Sequence, residues 1–270
     1  MCERRAILEC VINVSEGRGP EVIAELAAAA GPALLDVHSD PYHHRSVLTL
    51  AGPEVEDAAR AVAAVAVERI DLRHHDGAHP RFGAVDVVPF VPLFGAAMDD
   101  AVAARDRFVV WARSTLALPC SSYGPDTVTL PELRRQARAV VAHPSAGVCA
   151  VGARPVLVAY NLWLDGGDVE LALSIAAALR GPAVRALGLA LGDQAQVSLN
   201  LVAPDEFGPA AAFDAVASRT AVARAELVGL VPASVLAAIP PERRAQLDVE
   251  PSRTIETRLR EAGLDGGGGR

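Results

Sequence analysis

Six of the seven histidines, His38, His43, His44, His74, His75 and His79, fall between positions 38 and 79. Asp36, Asp40, Asp76, Arg45 and Arg81 lie among them. Imidazole is the side chain whose ordinary pKa, near 6.5, suits proton transfer at neutral pH, and it is also a common metal ligand. The densest part is the stretch Arg73-His74-His75-Asp76-Gly77-Ala78-His79-Pro80-Arg81, followed by the apolar run Ala84 to Leu93. A polar loop that feeds a buried strand holds its side chains firmly at the end of a sheet, where functional groups are often carried.

Two chemistries compete for this cluster. A metal site ranks second, because His43-His44 and His74-His75 are adjacent pairs that point to opposite faces on a strand, and no HExxH motif is present. General acid/base work by one histidine ranks first. His79 is the candidate: Gly77 and Pro80 constrain its backbone, and Arg81 two residues on favours a neutral imidazole and can hold an anion. His38, His43 and His74 read as solvated polar residues. His75, like His74, is expected to matter little to the chemistry.

The bulk composition narrows the function further. With 270 residues, 51% hydrophobic and 21% charged, the chain can bury a real core. A net charge of −8 argues against non-specific nucleic-acid binding. No apolar run approaches the roughly 18 residues of a membrane span, and no signal-type stretch follows Met1, so a cytoplasmic protein is the default expectation. Cys2, Cys10, Cys120 and Cys149 show no CxxC spacing and read as buried thiols. All 25 basic residues are arginine, which excludes Schiff-base chemistry and a phosphate-loop lysine. Neither a GxGxxG turn nor a GxSxG elbow is present.

The elements that must position these residues follow from periodicity and punctuation. Residues 6–14 predict a strand, Pro20 to Ala30 a helix stopped by Gly31-Pro32, and 33–38 and 46–51 two more strands. Residues 54–70 predict an alanine-rich helix, and 85–93 a fourth strand. Strand, helix, strand, strand, helix, strand is the ferredoxin-like order. The second half repeats it: strand 155–164, helix 169–179, strands 184–191 and 195–203, helix 210–224, strand 225–231. A helix over 99–116 leaves the first unit, and 117–152 carries a short helix (130–140) and irregular segments. The expected fold is α+β, with two βαββαβ subdomains at 1–115 and 151–262, a connection at 116–150 and a disordered tail at 263–270.

Several blocks resemble the glutamate formiminotransferase family. They are Glu9 to Arg18, Leu34 to Pro41 with His44 to Val47, and Gly77-Ala78-His79-Pro80-Arg81 with Gly83-Ala84 and Asp86. They continue with Gly147, Val151 to Pro155, Ala159-Tyr160-Asn161, Gln196 to Leu201 and Glu226 to Pro232. All run in the family's order. The chain departs from the family pattern at Ile12, His38, Tyr42 and His44 and in a shorter connecting region. The resemblance implies transfer of a formimino group from N-formimino-L-glutamate to tetrahydrofolate, two ferredoxin-like subdomains with a folate cleft between them, and a homodimer. It implies His79 as the catalytic base. Arg45, Arg81, Asn13, Asp40 and Gly83 are then candidates for binding the substrate, and Arg154, Asn161 and Asn200 for binding the folate. Arginine suits glutamate carboxylates because its planar fork donates in pairs.

The alternatives are a folate-binding homologue without turnover and a metal-dependent hydrolase of an acylated amino acid. The histidine spacing predicts that no stoichiometric zinc, iron or manganese copurifies. Elemental analysis finding about one tightly held metal per chain would promote the hydrolase.

Overall fold

The computed structural model describes residues 6–136 and 142–264. They form two compact units, one running to Pro155 and rejoined by the residues from Ala262 onward, the other Val156–Glu261. The tail expected at 263–270 falls, beyond Leu264, outside the described residues.

In the first unit, β1 (Leu8–Val14) is the hub. It pairs antiparallel with β3 (Arg45–Ala51) on one side and with β4 (Val85–Pro92) on the other, while β2 (Leu34–Asp40) pairs with β3. The strand order β2-β3-β1-β4 is that of a ferredoxin-like sheet. Two helices close it, α1 (Pro20–Ala30) and α2 (Val55–Arg69). Proline at the first position suits α1, because that N–H has no partner in any helix. Gly31 ends α1 with φ of 57°, a conformation that costs glycine nothing. In α2 the buried face is small, with Ala59, Val62, Ala63 and Ala66 fully buried, so the helix axis lies close over Leu48, Leu50 and Phe90. A third helix, α3 (Met98–Thr115), adds Phe108 to that core.

The stretch read as a connection extends this sheet. β5 (Cys120–Tyr123) and β6 (Cys149–Ala153) add to its edge in the order β4-β6-β5, both parallel to their neighbours. Strands of five residues or fewer carry little periodicity, and a parallel pairing is made by distant partners rather than by a local turn. The helix between them is α4 (Leu130–Gln136); the remainder of the predicted helix, 137–140, lies outside the described residues. Leu133 of α4 packs with Val87, Tyr123 and Ala150, on the sheet face away from the main core.

The second unit orders its strands β10-β7-β9-β8, all antiparallel, with the same ferredoxin-like connectivity. These are β7 (Val158–Leu164), β8 (Val184–Leu191), β9 (Gln194–Leu201) and β10 (Val222–Val228), with α5 (Val169–Leu179) and α6 (Pro209–Ala217). The sixth helix is shorter than the alanine-rich sequence suggests. It stops at Ala217, and Val222 to Arg224 join β10, where they pair with Leu164 and Trp163. Tyr160, Leu162, Ile175, Val197 and Leu201 are fully buried in this unit's core. Two short helices, α7 (Ala233–Ala237) and α8 (Ile255–Glu261), complete it. The architecture is α+β with two ferredoxin-like units.

Gly83 shows how the loop before β4 is seated. It bridges Gly147, Ala84 donates to the Ala146 carbonyl at 2.8 Å and Val148 to the Phe82 carbonyl at 3.0 Å. A Cβ at Gly83 meets the backbone of Ala146 and Val148, which has no room to yield. Gly83→Ala is therefore expected to lose about 1–3 kcal/mol of stability by urea titration; an unchanged midpoint contradicts this seating.

Candidate active site

The site forms where β1 and β2 end and β3 and β4 begin. Its base is Asp86 on β4, a carboxylate with no exposure in an otherwise apolar strand. A buried carboxylate requires charged donors around it. Arg45 supplies one as an ion pair with Oδ2, and the Phe82 N–H donates to Oδ1. Arg134 lies 3.9 Å from Oδ2. Burial raises the Asp86 pKa, but Arg45, Arg134 and the Phe82 N–H outweigh it and hold the group below its ordinary value. The Arg45 fork is fixed from the other side by Asn13 Oδ1, at 3.2 Å from Nε and 2.9 Å from Nη2.

The turn that delivers Arg45 is built locally. Asp40 Oδ1 accepts from the N–H groups of Tyr42 at 2.7 Å and His43 at 2.8 Å, an Asx-type turn. His44 sits at φ 49°, and its Nδ1 accepts from the Gly17 N–H at 3.1 Å. Its pKa is lowered, first by burial and then by Arg18 and Arg81, against Glu16 and Asp76.

Above this base lies the histidine loop. His79 Nδ1 is 2.7 Å from the Pro80 carbonyl oxygen. A carbonyl only accepts, so Nδ1 carries the hydrogen and Nε2 keeps its lone pair. The ring is partly buried, and desolvation together with Arg45, Arg134 and His43, against Asp86, pushes its pKa down to about 3. Arg81 braces the loop: Nη2 donates to the carbonyls of Gly77 at 2.6 Å and His79 at 2.9 Å, and Nη1 is 2.8 Å from His75 Nε2. A Cβ at Gly77 would strike Arg81 Nη2 and the His43 carbonyl, so glycine is required for that closure.

Of the residues singled out from sequence, Asn13, Asp40, Arg45, His79, Arg81 and Gly83 all converge in this unit. Asn13 and Asp40 serve as braces for Arg45 and its turn, and Arg81 as a brace for the His79 loop. His43 corrects the sequence reading: it is 6% exposed, not solvated, and its ring lies 5.7 Å from His79. His75 stacks on His44 with centroids 4.0 Å apart. His74 stands in solvent beside Asp71, and His38 lies on β2 across from Val47, neither in the cluster. Arg154 donates to the Pro155 carbonyl at 3.0 Å. In the second unit, Asn161 is buried and donates to Glu226 at 3.2 Å, while Asn200 is exposed on β9. Sequence reasoning gave Asp86 no role of its own, although it is the single charge within the apolar run. It also missed Arg134, for which no local signal exists. Among the described residues no group of three or more His, Cys, Asp or Glu side chains is set to hold a metal, and no helix is long and apolar enough to cross a membrane.

Fold and site together define an α+β protein with a neutral, partly buried imidazole set among guanidinium groups. Residues 7–154 match the family model described as the formiminotransferase domain, N-terminal subdomain. A glutamate formimidoyltransferase from Streptococcus pyogenes serotype M1 is 34% identical, over 85% of this chain and 90% of its own. One from Thermoplasma acidophilum is 33% identical, over 86% and 90%. The formimidoyltransferase-cyclodeaminase of Sus scrofa is 34% identical over 85% of this chain but 51% of its own length. The chain belongs to the formiminotransferase family, a family of transferases.

The depressed imidazoles set a pH dependence. His79 stands at about 3 in the folded chain and near 6.5 when unfolded. Between those values the unfolded chain binds the extra proton, so stability is full above about 6.5 and falls as the pH drops. His44 acts in the same direction. From pH 7.5 to 5, wild type should lose roughly 2 kcal/mol more stability than His79→Gln. Parallel stability curves for the two would contradict the neutral imidazole.

Proposed function

We propose that the chain transfers the formimino group of N-formimino-L-glutamate to tetrahydrofolate, with His79 carrying the proton. The observation that supports this most is the tautomer: with Nδ1–H committed to the Pro80 carbonyl, Nε2 is free to accept. The folate amine attacks the formimino carbon and a new C–N bond forms. His79 Nε2 takes the proton from that nitrogen. As the adduct collapses, the imidazolium returns the proton to the glutamate nitrogen and the old C–N bond breaks. One histidine serves both steps.

In this reading Arg81 fixes the loop that carries the ring, and burial with the field of Arg45, Arg134 and His43 keeps the ring unprotonated until an anionic donor arrives and raises its pKa. Asn13, Asp40 and Gly83 support the donor site by shaping its walls. Arg154, Asn161 and Asn200 are the residues proposed for folate. A homodimer and a cytoplasmic setting belong to the same proposal, and family membership supports both.

His79→Gln keeps the shape and removes the titrating nitrogen. Its turnover should drop by roughly 10²–10⁴, while tetrahydrofolate affinity changes far less. His74→Gln, in solvent, should be near wild type. Near-normal turnover in His79→Gln moves the base elsewhere. Wild-type binding of tetrahydrofolate without any transfer favours a binding protein instead.

A further inference from the structure

The arginines around His79 differ in how fully they are engaged. Arg45 directs Nε and Nη2 to Asn13 and Nη1 to Asp86. Arg81 directs both terminal nitrogens to the loop and His75. Arg18 is held by the Pro41 carbonyl and by Asp76. Arg134 is different. Among the described residues its polar contacts are a long one to the Pro80 carbonyl at 3.4 Å and the distant Asp86 carboxylate at 3.9 Å. A guanidinium has five donors, so most of Arg134's have no partner among the described residues.

Its location is fixed nonetheless. The guanidinium lies over the Phe82 ring, 5.2 Å from the centroid, its side chain is 28% exposed, and the next residue back, Leu133, anchors α4 in the small cluster with Val87, Tyr123 and Ala150. It shares one acceptor with the proposed base: the Pro80 oxygen is 2.7 Å from His79 Nδ1 and 3.4 Å from Arg134 Nη1. A cation held over an aromatic ring, partly desolvated and with donors to spare among the described residues, fits a carboxylate in bidentate fashion.

We propose that Arg134 anchors the α-carboxylate of the donor's glutamate moiety. This rests on the proposed transfer reaction and assigns the donor's position within it. The nitrogen that His79 must protonate is bonded to the α-carbon, so the α-carboxylate is the donor anion that must lie beside the base. The γ-carboxylate sits two methylenes further out. Occupation also cancels part of the positive field on His79, which links donor binding to activation of the base.

The test uses the whole chain. N-formyl-L-glutamate and 4-(formylamino)butyrate, which lacks the α-carboxylate, are titrated by calorimetry, and the KM for N-formimino-L-glutamate is measured alongside. Arg134→Gln should weaken N-formyl-L-glutamate binding and raise KM by about 10- to 100-fold. It should leave 4-(formylamino)butyrate binding unchanged, and wild type should bind that ligand as weakly as the variant binds both. Arg135→Gln, on the exposed neighbour, should be silent. If Arg134→Gln fails to fold, Arg134→Lys should show an intermediate loss with the same dependence on the α-carboxylate. Equal binding of the two ligands by wild type, or a KM within twofold in Arg134→Gln, overturns the assignment while leaving the transfer reaction standing. Binding that depends on Arg134 in a wild-type protein that transfers nothing preserves the anchor and removes the reaction.

Discussion

A carboxylate with no access to water stays ionised only if cations and donors surround it, and that requirement organises the first unit. Asp86 stands in a strand that is otherwise apolar. Meeting its charge draws Arg45 in from β3, the Phe82 N–H from the preceding loop and Arg134 from α4. Three segments distant in sequence are thereby fixed to one point. Removing one partner of such a buried pair typically costs about 3–5 kcal/mol, because the other charge is left uncompensated. The pair therefore specifies geometry more than it adds net stability.

The functional consequence follows from the same charges. The cationic field that satisfies Asp86 also reaches His79, and with partial burial it holds that imidazole neutral. A neutral ring whose Nδ1–H is tied to a backbone carbonyl presents one lone pair in one direction. The loop that carries it is closed by its own Arg81 onto the carbonyls of Gly77 and His79. The arrangement supplies what the proposed proton transfer needs: a fixed base, a tautomer set by the Pro80 carbonyl and a nearby cation whose donors are mostly unpartnered among the described residues.

Much of this is legible in the sequence. The first four strands and their helices are readable because Gly31, Pro32 and Pro20 punctuate strong apolar patterns. The Gly-x-His-Pro-Arg motif sets His79 apart from the histidines around it. Other parts are not readable, for physical reasons. β5 and β6 are short and paired in parallel, so their partners are set by tertiary contacts and not by local periodicity. In the sixth helix, alanine-rich residues past Ala217 have helical propensity, but cross-strand pairing to β7 claims Val222 to Arg224 for the sheet. His43 reads as solvated because nothing local signals that Asp40 turns it inward. Arg134 reaches the site from a helix whose sequence looks like part of a connection.

The central claim is the state of one ring. Histidine-selective labelling and nitrogen NMR of the free protein, with His79→Gln to assign the signal, would read it directly. From pH 5 to 8 the His79 resonances should stay those of a neutral imidazole protonated at Nδ1. A ring titrating near its ordinary value of about 6.5, or one carrying its hydrogen on Nε2, would contradict the account.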